Sequence, residues 1–242
     1  SDYWPKVNLI GFGYKKQRKQ KIQKMFPILK MCFIFAAMNQ KKREIIVQAT
    51  AIYMKYGIKS VTMDEMARQL GISKKTLYTF VADKNELVEK CVLLAHEGEI
   101  CQIGVINENN KNAIDELLEI SRFVAGELKK IHPSIFFDLA KYHPGALKIM
   151  TTHKQEFVRG CVVNNLQKGM EQGLYRSNLN VEVLSTIYQA TMDHIILGDI
   201  FPESSLNMEI IYKEFFRYHI NGIASAKGLK YLNELIKNDD NF

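Results

Sequence analysis

The sequence predicts an all-α protein in two parts: an N-terminal three-helix helix-turn-helix head and a larger C-terminal helical bundle. Three observations lead there. Apolar residues recur at helical spacing from residue 41 onward, and beyond residue 112 no stretch alternates as a strand would. Capping residues and a glycine divide residues 61–87 into two short helices, a tight turn and the start of a third. Charge is uneven. Residues 41–84 carry nine Lys/Arg against four acidic residues, whereas residues 85–242 carry sixteen against twenty-one. A basic head on a mildly acidic body fits one face meeting a polyanion.

Residues 1–38 stand apart. A lysine-rich run, YKKQRKQKIQK, precedes MFPILKMCFIFAAM, which resembles a signal peptide. Pro27 and Lys30 interrupt the apolar part, and no convincing cleavage site follows. With Ser1 in place of an initiator methionine, the expectation is a non-native or partly disordered extension. The alternative is a basic arm that adds non-specific DNA affinity.

The first helix of the head is expected over residues 41–56. Ile45, Ala49, Ile52 and Tyr56 form its stripe, Ile46 and Tyr53 lie beside it, and Gly57 stops it. Thr62 then caps a short helix, with Glu65 completing a capping box and Val61 with Met66 a hydrophobic staple. Gly71 supplies the left-handed turn. Ser73 caps a second helix, from Lys74 to about Val81, and Asp83 with Glu86 starts the third.

Met66, Ala67, Leu70, Ile72, Leu77 and Phe80 are the expected core of the pair, with Ala67 close to Gly71. Ser73, Lys74, Lys75, Thr76, Tyr78 and Thr79 form the outward face. Every one of these can donate a hydrogen bond, and two are cationic, which suits a duplex.

Residues 43–90 resemble the DNA-binding domain of the TetR family of bacterial transcriptional regulators. The helix REIIVQATAIYMKYG, the segment VTMDEMARQLGISKKTLYTF and the Asp83-Lys84 pair carry the likeness. Thr76-Leu77-Tyr78 with Lys84 six residues later is its most distinctive part. The family usually has an aromatic residue three positions after that tyrosine; here it is Val81, and Phe80 is expected to fill the space. The resemblance implies a head over 39–86 and a regulatory, dimerising body over 87–242.

In the body, a helix from Asp83 to about Glu99 joins the two parts. Asn107–Asn112 reads as a loop. Helices follow at about Ala113–Ile131, Pro133–Tyr142, Gly145–Gln172, Val181–Leu197 and Leu206–Ala224, with at most one short helix after them. GMEQGLYRSNLNVEVL also resembles the family, at a turn between two helices of its C-terminal domain.

Thr62, Ser73, Tyr78 and Lys84 are the candidate phosphate contacts, while Lys74, Lys75, Thr76 and Thr79 are the candidates for base edges. Phe123, Phe137, Tyr142, His153, Phe157, Tyr188 and Met192 are candidates to line a small-molecule pocket, with Phe136, Met170 and His194 beside them. Leu184, Ile187, Thr191 and Ile195, with Ile211, Phe215 and Tyr218, make the last two long helices candidates for a homodimer interface.

The four cysteines are scattered, so reduced thiols in a cytoplasmic protein are expected, with neither metal nor cofactor. No run is apolar enough for a membrane span. No phosphate loop or nucleophile motif points to an enzyme. The expectation is therefore a ligand-responsive regulator, a repressor by family resemblance, that binds a pseudo-palindromic operator as a dimer. The competing reading is a helical adaptor with a non-specific nucleic-acid-binding head.

Overall fold

The computed structural model of the chain describes residues 40–109, 112–197 and 208–236. The expected extension, residues 1–38, lies outside these. The head comprises α1 (Gln40–Tyr56), α2 (Met63–Gln69), α3 (Lys74–Tyr78) and the start of α4 (Lys84–Asn109). The body adds α5 (Ala113–Lys130), α6 (Ile135–Tyr142), α7 (Pro144–His153), α8 (Arg159–Glu171), α9 (Val181–Leu197), α10 (Met208–Ile223) and α11 (Ala226–Ile236). Among the described residues the only β pairing is one isolated bridge, Tyr175 to Ala224.

In α1 the residues that reach the core are Ile45, Ile46, Ala49 and Tyr53. Tyr56 is exposed, so the stripe is rotated from the expected one. The reason is the partner: α1 packs against α4, which brings Cys91 Sγ within 3.9 Å of the Ile46 carbonyl oxygen and close to Tyr53.

Both caps form as their spacing requires. Thr62 Oγ1 accepts from the Glu65 amide at 3.1 Å, and Ser73 Oγ accepts from the Thr76 amide at 3.0 Å. Val61 and Met66 are buried beneath the first cap. Gly71 has φ +66°, and a Cβ there would meet nothing within 4 Å. Its backbone angle, not a close approach to Ala67, is therefore what requires glycine.

α3 is shorter than expected and ends at Tyr78. Val81 itself is buried, at 2% exposure, and Phe80 is only half-buried. The smaller residue therefore occupies the core position, and no replacement by Phe80 occurs.

Asp83 Oδ1 accepts from the Glu86 amide at 2.8 Å, and Glu86 Oε2 accepts from the Ala82 amide at 2.5 Å. Behind this cap α4 continues ten residues past Glu99, because Ile103 and Ile106 extend its buried stripe. At 1.5 Å per residue it is about 39 Å long. The first three residues of the expected loop, Asn107–Asn109, are therefore helical.

In the body, Ile114, Leu118, Leu166, Phe216, Ile220 and Leu232 form the main core, drawn from α5, α8, α10 and α11. Tyr175, fully buried, places its hydroxyl 2.9 Å from Asn165 Oδ1 and 3.2 Å from the Ala113 carbonyl oxygen. The helix expected over Gly145–Gln172 is divided. Pro144 begins α7, and a π-helical turn, Lys154–Val158, separates α7 from α8. The turn re-phases the two halves, so that each presents a different face to the interior. The expected start of α10 at Leu206 lies outside the described residues.

The head is tied to the body through the turn after α1. Asp138 of α6, 2% exposed, accepts from the amides of Ile58 at 3.1 Å and Lys59 at 2.8 Å. The Ser134 hydroxyl donates to the same carboxylate oxygen at 3.2 Å. The His132 amide donates to the Met54 carbonyl at 2.9 Å, and Lys84 Nζ donates to the Ile58 carbonyl at 2.7 Å. Gly57 sits inside this joint with φ +80°. A Cβ there would lie 2.6 Å from Ser134 Oγ and 3.3 Å from His132 Nδ1.

Gly57→Ala therefore combines a strained backbone with a clash against the body. It should lower unfolding free energy by about 1–3 kcal/mol. Urea denaturation checks this; an unchanged midpoint would mean that the joint relaxes without cost.

Candidate nucleic-acid interface and the cavity behind it

The outward face of α3 combines cations, hydroxyls and one phenol. Ser73, Lys74, Lys75, Tyr78 and Thr79 are exposed, and Thr76 is half-buried. The hydroxyls are partly committed. Ser73 Oγ and Thr76 Oγ1 lie 2.8 Å apart, and Thr79 Oγ1 donates to the Thr76 carbonyl at 2.7 Å. Thr79, though exposed, thus commits its donor to its own helix.

Lys74 Nζ pairs with Asp64 Oδ1 at 2.7 Å, from α3 across to α2. That hydrogen bond, followed by the carboxylate's charge, raises the Lys74 pKa. Both partners are more than half exposed, so the pair contributes little to stability and a phosphate can compete for the lysine. Thr62 is also exposed. Lys84 differs from the other candidates: it is half-buried, burial lowers its pKa, and its ammonium holds the Ile58 carbonyl. The start of α4 lies against the α1–α2 turn, and that turn claims the side chain.

Behind the head lies a cavity of about 610 Å³. Its wall is drawn from both parts of the protein. Thr50, Tyr53, Met54 and Ile58 come from the head, and α4, α5, α6, α7, α8, α9 and α10 supply the rest. Of the seven pocket candidates, Phe123, His153, Tyr188 and Met192 line it. Phe157 does not, although it stacks on His153 with ring centroids 5.1 Å apart. Phe137 and Tyr142 are on the surface, at 58% and 37% exposure. Lys141 lies over both rings. In the eight-residue α6 only one face can turn inward, and Asp138 and Leu139 take it. Phe136 lines the cavity; Met170 packs into the main body core instead, and His194 is exposed.

Four of the polar groups on the wall pair with one another. His153 Nε2 lies 3.0 Å from Glu99 Oε2, and Lys154 Nζ lies 2.8 Å from Asp193 Oδ1. The His96 ring stacks on His153 at 3.9 Å, nearly parallel. Burial, with the nearby His153 and Lys154, depresses the His96 pKa to about 3, so it is neutral at ordinary pH. Two residues of the wall each keep a buried polar atom with no hydrogen-bond partner, the Tyr53 hydroxyl and His96 Nδ1. Burial also pushes the Tyr53 pKa up, with Cys91 adding to the effect.

Sequence reasoning placed Tyr53 in a core stripe and passed over His96 and Asp138. A tyrosine on an apolar stripe reads the same whether or not its hydroxyl is paired. Asp138 did have a signal: it is the lone carboxylate in the apolar run IFFDLAKY, where an acid needs a buried partner.

On α9 and α10 another apolar surface is exposed. Val183, Ile187 and Tyr218 are 50%, 55% and 80% exposed. Leu184, Ile195 and Ile211 of the expected interface stripes turn inward instead. Among the described residues no cluster of acids, histidines and cysteines could hold a metal, and no helix is long and apolar enough to cross a membrane.

A capped helix-turn-helix on a helical bundle defines a DNA-binding transcription regulator. Residues 45–91 match the family model for bacterial regulatory proteins of the tetR family. The chain is 25% identical over 151 residues to the HTH-type transcriptional repressor KstR2 of Mycobacterium tuberculosis, covering 60% of this chain and 74% of that protein. The solved structure of that ketosteroid transcriptional regulator is similar, with TM-score 0.51 and 20% identity over 78% of this chain and 97% of that one. A transcriptional regulator from Cytophaga hutchinsonii has TM-score 0.64 at 15% identity, covering 77% and 100% of the two chains. Residues 45–91 are thus similar to the DNA-binding segment of TetR-family regulators, and the chain as a whole is similar to members of that family.

His96 gives the fold a pH dependence of known sign. Its folded pKa, about 3, is below the ordinary 6.5, so the unfolded chain takes up a proton that the folded one refuses. His219, depressed by burial to about 4, acts in the same direction. Their contributions are complete above about pH 6.5 and are lost as pH falls toward 4 and then 3. Urea unfolding should show lower stability at pH 5 than at pH 7.5, and His96→Gln should narrow the difference. An equal pH dependence in that variant would remove His96 as a cause.

Proposed function

We propose that this protein is a ligand-responsive repressor that binds a pseudo-palindromic operator as a homodimer. The observation that carries the reading is the shared wall of the cavity, built from the DNA-reading head and the body together. An occupant there would touch both parts. It can shift the head only by binding one arrangement better than the other. The likeness to a repressor over 151 residues supports the direction of control.

On DNA, α3 enters the major groove. Lys74, Lys75 and Thr76 face base edges and Thr79 offers its methyl to thymine. Thr62, Ser73 and Tyr78 hold phosphates and set the register. Lys84, engaged with Ile58, serves the joint instead. The half-site read by one α3 calls for a second head roughly 34–36 Å away, one DNA turn. Val183, Ile187 and Tyr218 supply an apolar surface on which a second copy would close a two-fold dimer. An adaptor with a non-specific head would need neither the base-facing residues nor the shared cavity.

Selection of bound fragments from the organism's own DNA tests this directly. The expected outcome is a palindrome with half-sites one turn apart; recovery of unrelated sequences would favour the adaptor. Tyr78→Ala should weaken binding to every sequence by a similar factor, because a phosphate contact carries no base information. Unchanged gel-shift affinity would remove Tyr78 from the interface. Ile187→Glu should give a monomer in analytical ultracentrifugation and lose operator binding. A variant that stays dimeric would place the interface elsewhere.

A further inference from the structure

Two residues on the cavity wall, Tyr53 and His96, each keep a polar atom that the fold itself leaves unpaired, the Tyr53 hydroxyl and His96 Nδ1. Both side chains are buried, Tyr53 at 3% exposure and His96 at 8%. A buried polar atom without a partner costs about 1–3 kcal/mol. Folds avoid such atoms unless something else pairs with them. The two come from different parts of the protein, Tyr53 from α1 of the head and His96 from α4.

The rest of the wall limits what can pair with them. Most of it is aliphatic or aromatic. Its charged side chains have protein partners already: Lys154 with Asp193, Glu99 with His153, and Glu127 with Lys130. No cation is left over among these to balance an anionic ligand, and an unbalanced charge would be expensive to bury. His96 is held neutral as well, so it offers a dipole and no charge.

We propose that the cavity binds an uncharged, predominantly apolar molecule whose carbonyl or hydroxyl group hydrogen-bonds the Tyr53 hydroxyl and His96 Nδ1. This rests on the ligand-responsive reading above and makes it specific. The ligand is then held by the first helix of the DNA-binding head. Tyr53 lies one turn before Gly57 and the amides that Asp138 grips, so its occupancy bears on the same segment that fixes the head.

The test uses Nile red as a neutral reporter of the cavity and three competitors of equal chain length: 2-dodecanone, dodecanoate and dodecane. Titrations of the full chain at pH 7.5 should show 2-dodecanone displacing the dye at the lowest concentration. Tyr53→Phe keeps the ring and deletes only the unpaired hydroxyl. It should therefore fold as well as the parent, with an equal or higher Tm. It should raise the Kd for 2-dodecanone about tenfold, the value of one hydrogen bond, and leave dodecane unchanged.

Several results would overturn the proposal. Preference for dodecanoate would show that a charge is accommodated. Equal affinities for the ketone and dodecane, or a ketone affinity unchanged in Tyr53→Phe, would show that the hydroxyl is not read. A protein that binds none of the four would not offer this cavity to apolar molecules. A lower Tm for Tyr53→Phe without ligand would show that the hydroxyl has a structural partner. Failure to find an operator would sink the repressor reading while leaving these titrations intact, so the two can be told apart.

Discussion

A single buried carboxylate governs how the DNA-reading head sits on the body. Asp138 accepts two consecutive backbone amides, Ile58 and Lys59, from the turn between α1 and α2. Hydrogen bonds to a charged group contribute about 1.5–3 kcal/mol each, and both amides would be orphaned without it. Ser134, His132 and Lys84 extend the joint. Side chains repack more readily than backbone amides change partners. The α1–α2 turn is therefore held at a defined place, and α2 and α3 follow from it.

The cavity adjoins this joint, and the two share elements. α1 contributes Tyr53 to the wall and leads directly into the gripped turn; α6 contributes Phe136 and Leu139 to the wall and Asp138 to the grip. The wall and the grip therefore share two helices, with no long chain of intermediates between cavity and head. The π turn between α7 and α8 serves the other side of the cavity. It lets Lys154 reach Asp193 while His153, one residue earlier, faces Glu99. These side chains are thereby engaged with one another, and much of the remaining wall is apolar.

Much of the head was legible because its determinants are local. A cap needs only residues three apart, as in Thr62 with Glu65 or Asp83 with Glu86. Gly71 marks a left-handed turn whatever surrounds it. The donors of α3 face outward because Leu77 must face in. The body was legible as helices, and Val181–Leu197 was delimited correctly. Its inner and outer faces were less so. Leu184 and Ile187 look alike on a helical wheel, yet one packs on the core and the other is exposed.

The sequence by itself determined the helix boundaries that caps and glycines set, the basic character of the head and the outward set on α3, since each depends on neighbours within a few residues. Only the tertiary structure decided which aromatic residues surround the cavity and that Val81 fills the core. It also decided that Lys84 and Asp138 serve the joint and that Tyr53 and His96 lack partners. Those outcomes depend on segments far apart in the chain: Ile58 meets Asp138 eighty residues away. Side-chain periodicity records that a residue is buried, but only the packed fold specifies what it is buried against.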